Sequence, residues 1–123
     1  MKNVRNILLL FFISTATVSA QEKIPEVTAR QAKNYDGKKV TICSQVKDVY
    51  VNKRAKGEPT MLNFGAPYPN QTFTVIIWKD NLKNFDNDPA TYYQDKNICV
   101  TGDIIMYRGR PEIEVKTPYQ IYE

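Results

Sequence analysis

Two small groups of cations are the densest chemistry in this sequence. Lys53, Arg54 and Lys56 form one, and Arg108 and Arg110, on either side of Gly109, form the other. Loop cations spaced this closely attract phosphate oxygens, whose contacts dominate affinity for nucleic acid. Exposed loops also carry such residues for solubility alone, and spacing does not separate the two uses. Phe64, Tyr68, Phe73, Trp78 and Tyr107 lie along the same stretches. Aromatic faces of this kind can stack on single-stranded bases, each stack being worth about 1–3 kcal/mol, or can simply pack the interior. Hydrolytic chemistry is poorly provided for. Asp48, Asp80, Asp103 and Glu112 fall on separate elements, and there is no histidine to act as a general base. No glycine-rich phosphate loop is present, and no serine or cysteine has a visible base partner. The expectation is a protein without enzymatic activity, cofactor or metal.

Period-two alternation supplies the elements that must position these residues. Val40, Ile42, Ser44 and Val46 alternate with Thr41, Cys43, Gln45 and Lys47 in a first strand running from Lys38 to about Val51. Thr60 to Phe64 reads as a second strand and Thr72 to Trp78 as a third, joined by a two-proline turn. Asp80 to Phe85 suits one helical turn with Asp80 as its cap and Leu82 and Phe85 facing inward, and Asp86 to Tyr93 reads as loop. Ile98, Val100, Gly102, Ile104 and Met106 define the fourth strand, and Ile113 and Val115 lie on the inner face of the fifth. Upstream, Pro25 and Glu26 suit the start of a short helix through Lys33, which Asp36-Gly37 ends.

Five strands with one short helix between the third and fourth is the element order of the OB-fold barrel. The expected class is therefore all-β, with a further short N-terminal helix. In that fold the two basic loops border the ligand groove across strands two and three. The expected site is Lys53, Arg54, Lys56, Arg108 and Arg110, with Tyr107 and Trp78 as the better candidates for exposed aromatics. Strand parity assigns Phe73 to the core, along with Val40, Ile42, Val46, Val75, Ile77, Ile98, Val100, Ile104 and Ile113.

The chain also resembles small secreted bacterial OB-fold proteins described as nucleic-acid-binding. The resemblance is carried by Asp36 to Cys43, Pro59 to Gly65, Pro67 to Trp78, Ile98 to Ile104 and Tyr107 to Ile113. It implies the barrel fold and, through fold analogy, nucleic-acid binding. Such proteins usually carry glycine in the first strand where this chain has Ser44.

Residues 1–20 read as a signal peptide. Lys2 and Arg5 precede the apolar run Ile7 to Ile13, and Val18-Ser19-Ala20 offers small residues for cleavage before Gln21. The apolar run is short for a membrane span, which takes about 20 residues. The remaining 103 residues divide into a lead-in, 21–37, and one domain, 38–123. With Lys2 and Arg5 gone, 15 basic residues stand against 13 acidic ones, so net charge by itself implies no partner. In an exported chain the even pair Cys43 and Cys99, on the outward parity of strands one and four, is expected as a disulfide. The functional expectation is an exported binding module, periplasmic or secreted, without a membrane span. Single-stranded DNA or RNA is the leading ligand class, with protein or oligosaccharide in the cell envelope as the alternative.

Overall fold

The computed structural model describes residues 8–16 and 23–123. The proposed cleavage point before Gln21 lies outside the described residues. Leu8 to Ile13 are exposed, and among the described residues no helix is long and apolar enough to cross a membrane.

Six strands follow in chain order: β1 (Lys39–Val51), β2 (Thr60–Phe64), β3 (Phe73–Ile77), β4 (Asn97–Tyr107), β5 (Arg110–Glu114) and β6 (Ile121–Tyr122). The first five close into a barrel, ordered β1-β2-β3-β5-β4, with β1 pairing back onto β4. Closure depends on β1 serving two partners. Lys39 to Gln45 pair with β4, Val46 to Val51 pair with β2, and the register shifts between Val46 and Asp48. An irregularity there bends the strand as it passes from one neighbour to the next. All antiparallel pairings are joined by the parallel β3–β5 contact, which completes the ring.

The ten residues assigned inward by parity are each at most 1% exposed. Their side chains alternate with outward residues along every strand, as a closed sheet requires. Phe64 and Phe73, paired across β2 and β3, stack at 5.5 Å and fill the centre with Leu62, Val75 and Ile113. Phe64, one of the aromatics that the sequence offered for stacking or for packing, is therefore core.

Cys43 and Cys99 stand directly opposite in the β1–β4 register and form a disulfide, with a Cα–Cα distance of 4.0 Å. One step away the outward Thr41 and Thr101 share a hydroxyl hydrogen bond of 2.7 Å.

Three local features differ from the sequence reading. The N-terminal helix is a 3₁₀ helix at Ala29–Tyr35, not a helix begun by Pro25. Thr28 and Gln31 form a reciprocal capping box that fixes its start. Pro25 lies in an extended segment instead, and its carbonyl accepts from the Thr41 amide at 2.9 Å. Between β3 and β4, a 3₁₀ helix spans Lys79–Asn84 with Trp78 at the N-cap, so Asp80 is inside the helix and caps nothing. Leu82 and Phe85 do pack against the core. A second turn, α1 (Pro89–Tyr92), replaces part of the expected loop. Asp88 accepts from the Ala90 amide at 3.0 Å, and Pro89 occupies the first turn, where its missing N–H costs nothing. The sixth strand was not expected. Its two residues add to the free side of β4, with Tyr122 opposite Cys99 and Ile121 opposite Val100.

Candidate functional site

The β1–β2 loop is built to hold its cations outward. The Asn52 side chain accepts from the Arg54 and Ala55 amides, each at 3.2 Å, and the Asn52 amide donates to Pro59 at 3.0 Å. The Gly57 backbone is in the left-handed region, with φ 83°, and the Trp78 indole lies against it. A Cβ at Gly57 would sit 2.9 Å from a Trp78 ring carbon, so glycine is required twice over. Lys79 ties the loop down further through a 2.7 Å ion pair with Glu58, whose carboxyl the lysine holds below its usual range. Lys53, Arg54 and Lys56 stay exposed, and Trp78 is half-buried as the loop's support.

The β4–β5 connection is a two-residue turn. Arg108 and Gly109 have φ of 49° and 78°, and Tyr107 pairs with Arg110 across it. Two successive left-handed residues define the tight hairpin turn that matches strand twist. The Arg108 guanidinium stands 5.3 Å from the Tyr107 ring centre. Tyr107 is 54% exposed and Ile105, two residues back on the same face, is 47% exposed.

Register fixes how the two loops are related. Thr60 opposite Ile77 puts the β1–β2 loop at the C-terminal end of β3. Thr74 level with Glu112 puts Arg110 near Thr72, at the other end of β3. Five residues of strand separate those levels, roughly 16 Å at about 3.3 Å per residue. The basic loops thus flank one outward face from opposite ends and do not meet over it. Among the described residues only Lys79–Glu58 and Lys96–Glu123 form ion pairs, so none of the five site cations is held in one.

The face between them differs from an open groove. Met61, Asn63, Thr74 and Ile76 point outward from β2 and β3, yet none exceeds 9% exposure. The Gly65–Thr72 connection turns back against this face. Asp48 of β1 accepts from the Asn63 side chain at 3.2 Å and from the Tyr68 amide at 3.0 Å. Thr74 donates to Asn63 at 3.0 Å and accepts from Gln71 at 3.2 Å, while the buried Gln71 Oε1 has no partner. The Tyr68 ring stacks on Tyr50 with centres 4.3 Å apart and planes 7° from parallel. Tyr68 remains 42% exposed, so the pair presents an aromatic surface.

Sequence reading missed Tyr50 and this polar network. Polar Asn63 and Thr74 inside otherwise apolar strands were the available signal, while the burial of Gln71 left none. The face is acidic at its middle. Glu112 stands opposite Thr74 and Ile105, and Glu114 opposite Ile76. Burial pushes the Glu112 carboxyl up to about 7, so it is partly protonated at neutral pH. Among the described residues no three His, Cys, Asp or Glu side chains gather as a metal site.

No family model and no curated protein matches the chain. Solved structures do resemble it. One is an OBody, AM1L10, bound to hen egg-white lysozyme: 14% identity, TM-score 0.47, covering 73% of this chain and 81% of that one. Another is a protein described as an aspartyl-tRNA synthetase from Leishmania major Friedlin: 9% identity, TM-score 0.50, covering 87% of this chain. This chain spans 22% of that protein's length. At such identities the likeness bears on fold alone. The strand order and barrel closure described above define the class as an all-β, OB-fold-like barrel.

Proposed function

We propose that the protein is an exported, non-enzymatic OB-fold module that binds single-stranded nucleic acid. The observation that carries this reading is a pair of basic loops flanking one face, whose five cations form no ion pair among the described residues, with exposed tyrosines along it. Asp48, Glu112 and Glu114 would repel phosphates at the middle of the face. Phosphate contacts therefore belong at its ends, to Lys53, Arg54 and Lys56 on one side and Arg108 and Arg110 on the other. Bases stack between, on Tyr107 and on the Tyr50–Tyr68 pair. Trp78 contributes by holding the first loop. Export accords with the apolar leader and with a disulfide, a bond that persists in oxidising compartments.

The test is fluorescence anisotropy of labelled single-stranded DNA and RNA over a range of salt. Five phosphate contacts give a log–log slope of about −3.5, and Arg108→Ala with Arg110→Ala flattens it by about 1.4. Tyr107→Ala weakens binding by about 1–3 kcal/mol at unchanged slope, because stacking releases no counterions. Absence of binding at low salt removes this reading and leaves the protein or oligosaccharide alternative.

A further inference from the structure

A cavity lies away from the proposed nucleic-acid face, between the β3–β4 connection and the C-terminal strand. Its volume is about 320 Å³, at the small end of the range for ligand pockets. Phe85, Tyr92, Tyr93 and Tyr122 line it together with the acidic residues Asp86 and Glu123. Tyr92 and Tyr93 meet edge to face, with centres 4.9 Å apart and planes at 88°, so their ring faces are turned in different directions. Tyr122 is 54% exposed and Tyr92 is 37% exposed, which leaves the cavity open to solvent.

Aromatic faces carry negative electrostatic potential and attract a cation that needs no hydrogen-bond acceptors. The chain supplies its own demonstration at the rim. The Lys96 ammonium sits 3.3 Å from the centre of the Tyr92 ring and 3.1 Å from a Glu123 carboxylate oxygen. Ring and acid together thus already hold one ammonium. Asp86, also in the lining, takes part in neither of the two ion pairs among the described residues.

We propose that this cavity binds a small alkylated ammonium ion, a quaternary ammonium solute, between the aromatic rings and Asp86. A quaternary ammonium suits the lining because it is only weakly hydrated, has no N–H to satisfy, and gains from both the ring faces and the carboxylate. Lys96 competes for the Tyr92 face and for Glu123, and so sets an upper limit on affinity.

Choline is the probe, with 3,3-dimethyl-1-butanol as its uncharged analogue of the same shape. Backbone amide NMR of the whole protein reads the site directly. Choline is expected to shift Phe85, Asp86, Tyr92 and Tyr122 with a dissociation constant of roughly 1 mM. The neutral analogue should bind about tenfold more weakly, and Asp86→Asn and Tyr122→Leu should each weaken choline roughly threefold or more. Lys96→Ala should tighten choline binding, an effect that a merely apolar crevice would not produce. Circular dichroism checks that each variant remains folded. Equal binding of choline and its neutral analogue, no localised shifts, or weaker binding in Lys96→Ala would overturn the proposal. Co-sedimentation with phosphatidylcholine vesicles that free choline fails to compete would assign the ammonium to a lipid headgroup and overturn the free-solute assignment.

Discussion

Replacing Glu112 with glutamine isolates the energetic cost of one ionisable group on the outward face. In the folded chain burial raises this carboxyl from 4.5 to about 7. At about 1.4 kcal/mol per unit, the ceiling on the linked free energy is about 3 kcal/mol. The side chain is only half-buried, and solvent screening brings the expected value to about 1–2 kcal/mol. The sign follows from proton binding. Folded protein holds this proton more tightly than unfolded chain, so its contribution is complete below about pH 4.5 and is lost as pH rises through about 7. Glu112→Gln keeps a neutral side chain at every pH. Its stability should match the wild type near pH 4 and exceed it by about 1–2 kcal/mol near pH 8. The sequence contains no histidine, so few other groups titrate in that window to obscure the effect. Urea unfolding of both proteins at a series of pH values measures the difference. A gain of equal size at all pH values, or one confined to acid, would refute the assignment of a raised carboxyl to this position.

Three further outcomes follow from particular contacts. Gly57→Ala forces a left-handed residue against the indole, and should cost about 1–3 kcal/mol while shifting the emission of Trp78, the single tryptophan. Cys43→Ser combined with Cys99→Ser opens a cross-link spanning 56 residues, for an expected loss of about 4 kcal/mol on the chain-entropy model, read from urea midpoints. Asp48→Ala leaves the buried Asn63 amide without its acceptor and frees the Tyr68 amide. It should destabilise by about 1–3 kcal/mol, whereas Asp103→Ala, at an exposed carboxylate, should change little in the same denaturation assay.

The alternating residues of β1 and β4 determined which side of each strand faces inward, because side-chain direction in a strand is a local property with period two. The same parity put Cys43 and Cys99 outward, and only the β1–β4 register then set them directly opposite. Helix starts were less legible where two local signals competed. Pro25-Glu26 looked like a beginning, yet pairing with Thr41 held that segment extended and left the capping box at Thr28 to start the helix. The stretch Asp86 to Tyr93 read as loop, yet Asp88 and Pro89 start the one-turn helix α1 within it. The tertiary structure alone decided what became of the outward face of β2 and β3. Nothing local to Gly65–Thr72 indicates that it returns to Asp48 and Tyr50, some 20 residues away in sequence. Nor could spacing tell whether the basic loops meet or stand apart, since that depends on the antiparallel β2–β3 and parallel β3–β5 registers together. Local patterning chose the strands and their inner sides. Long-range pairing chose which outer surfaces remained free to meet a ligand.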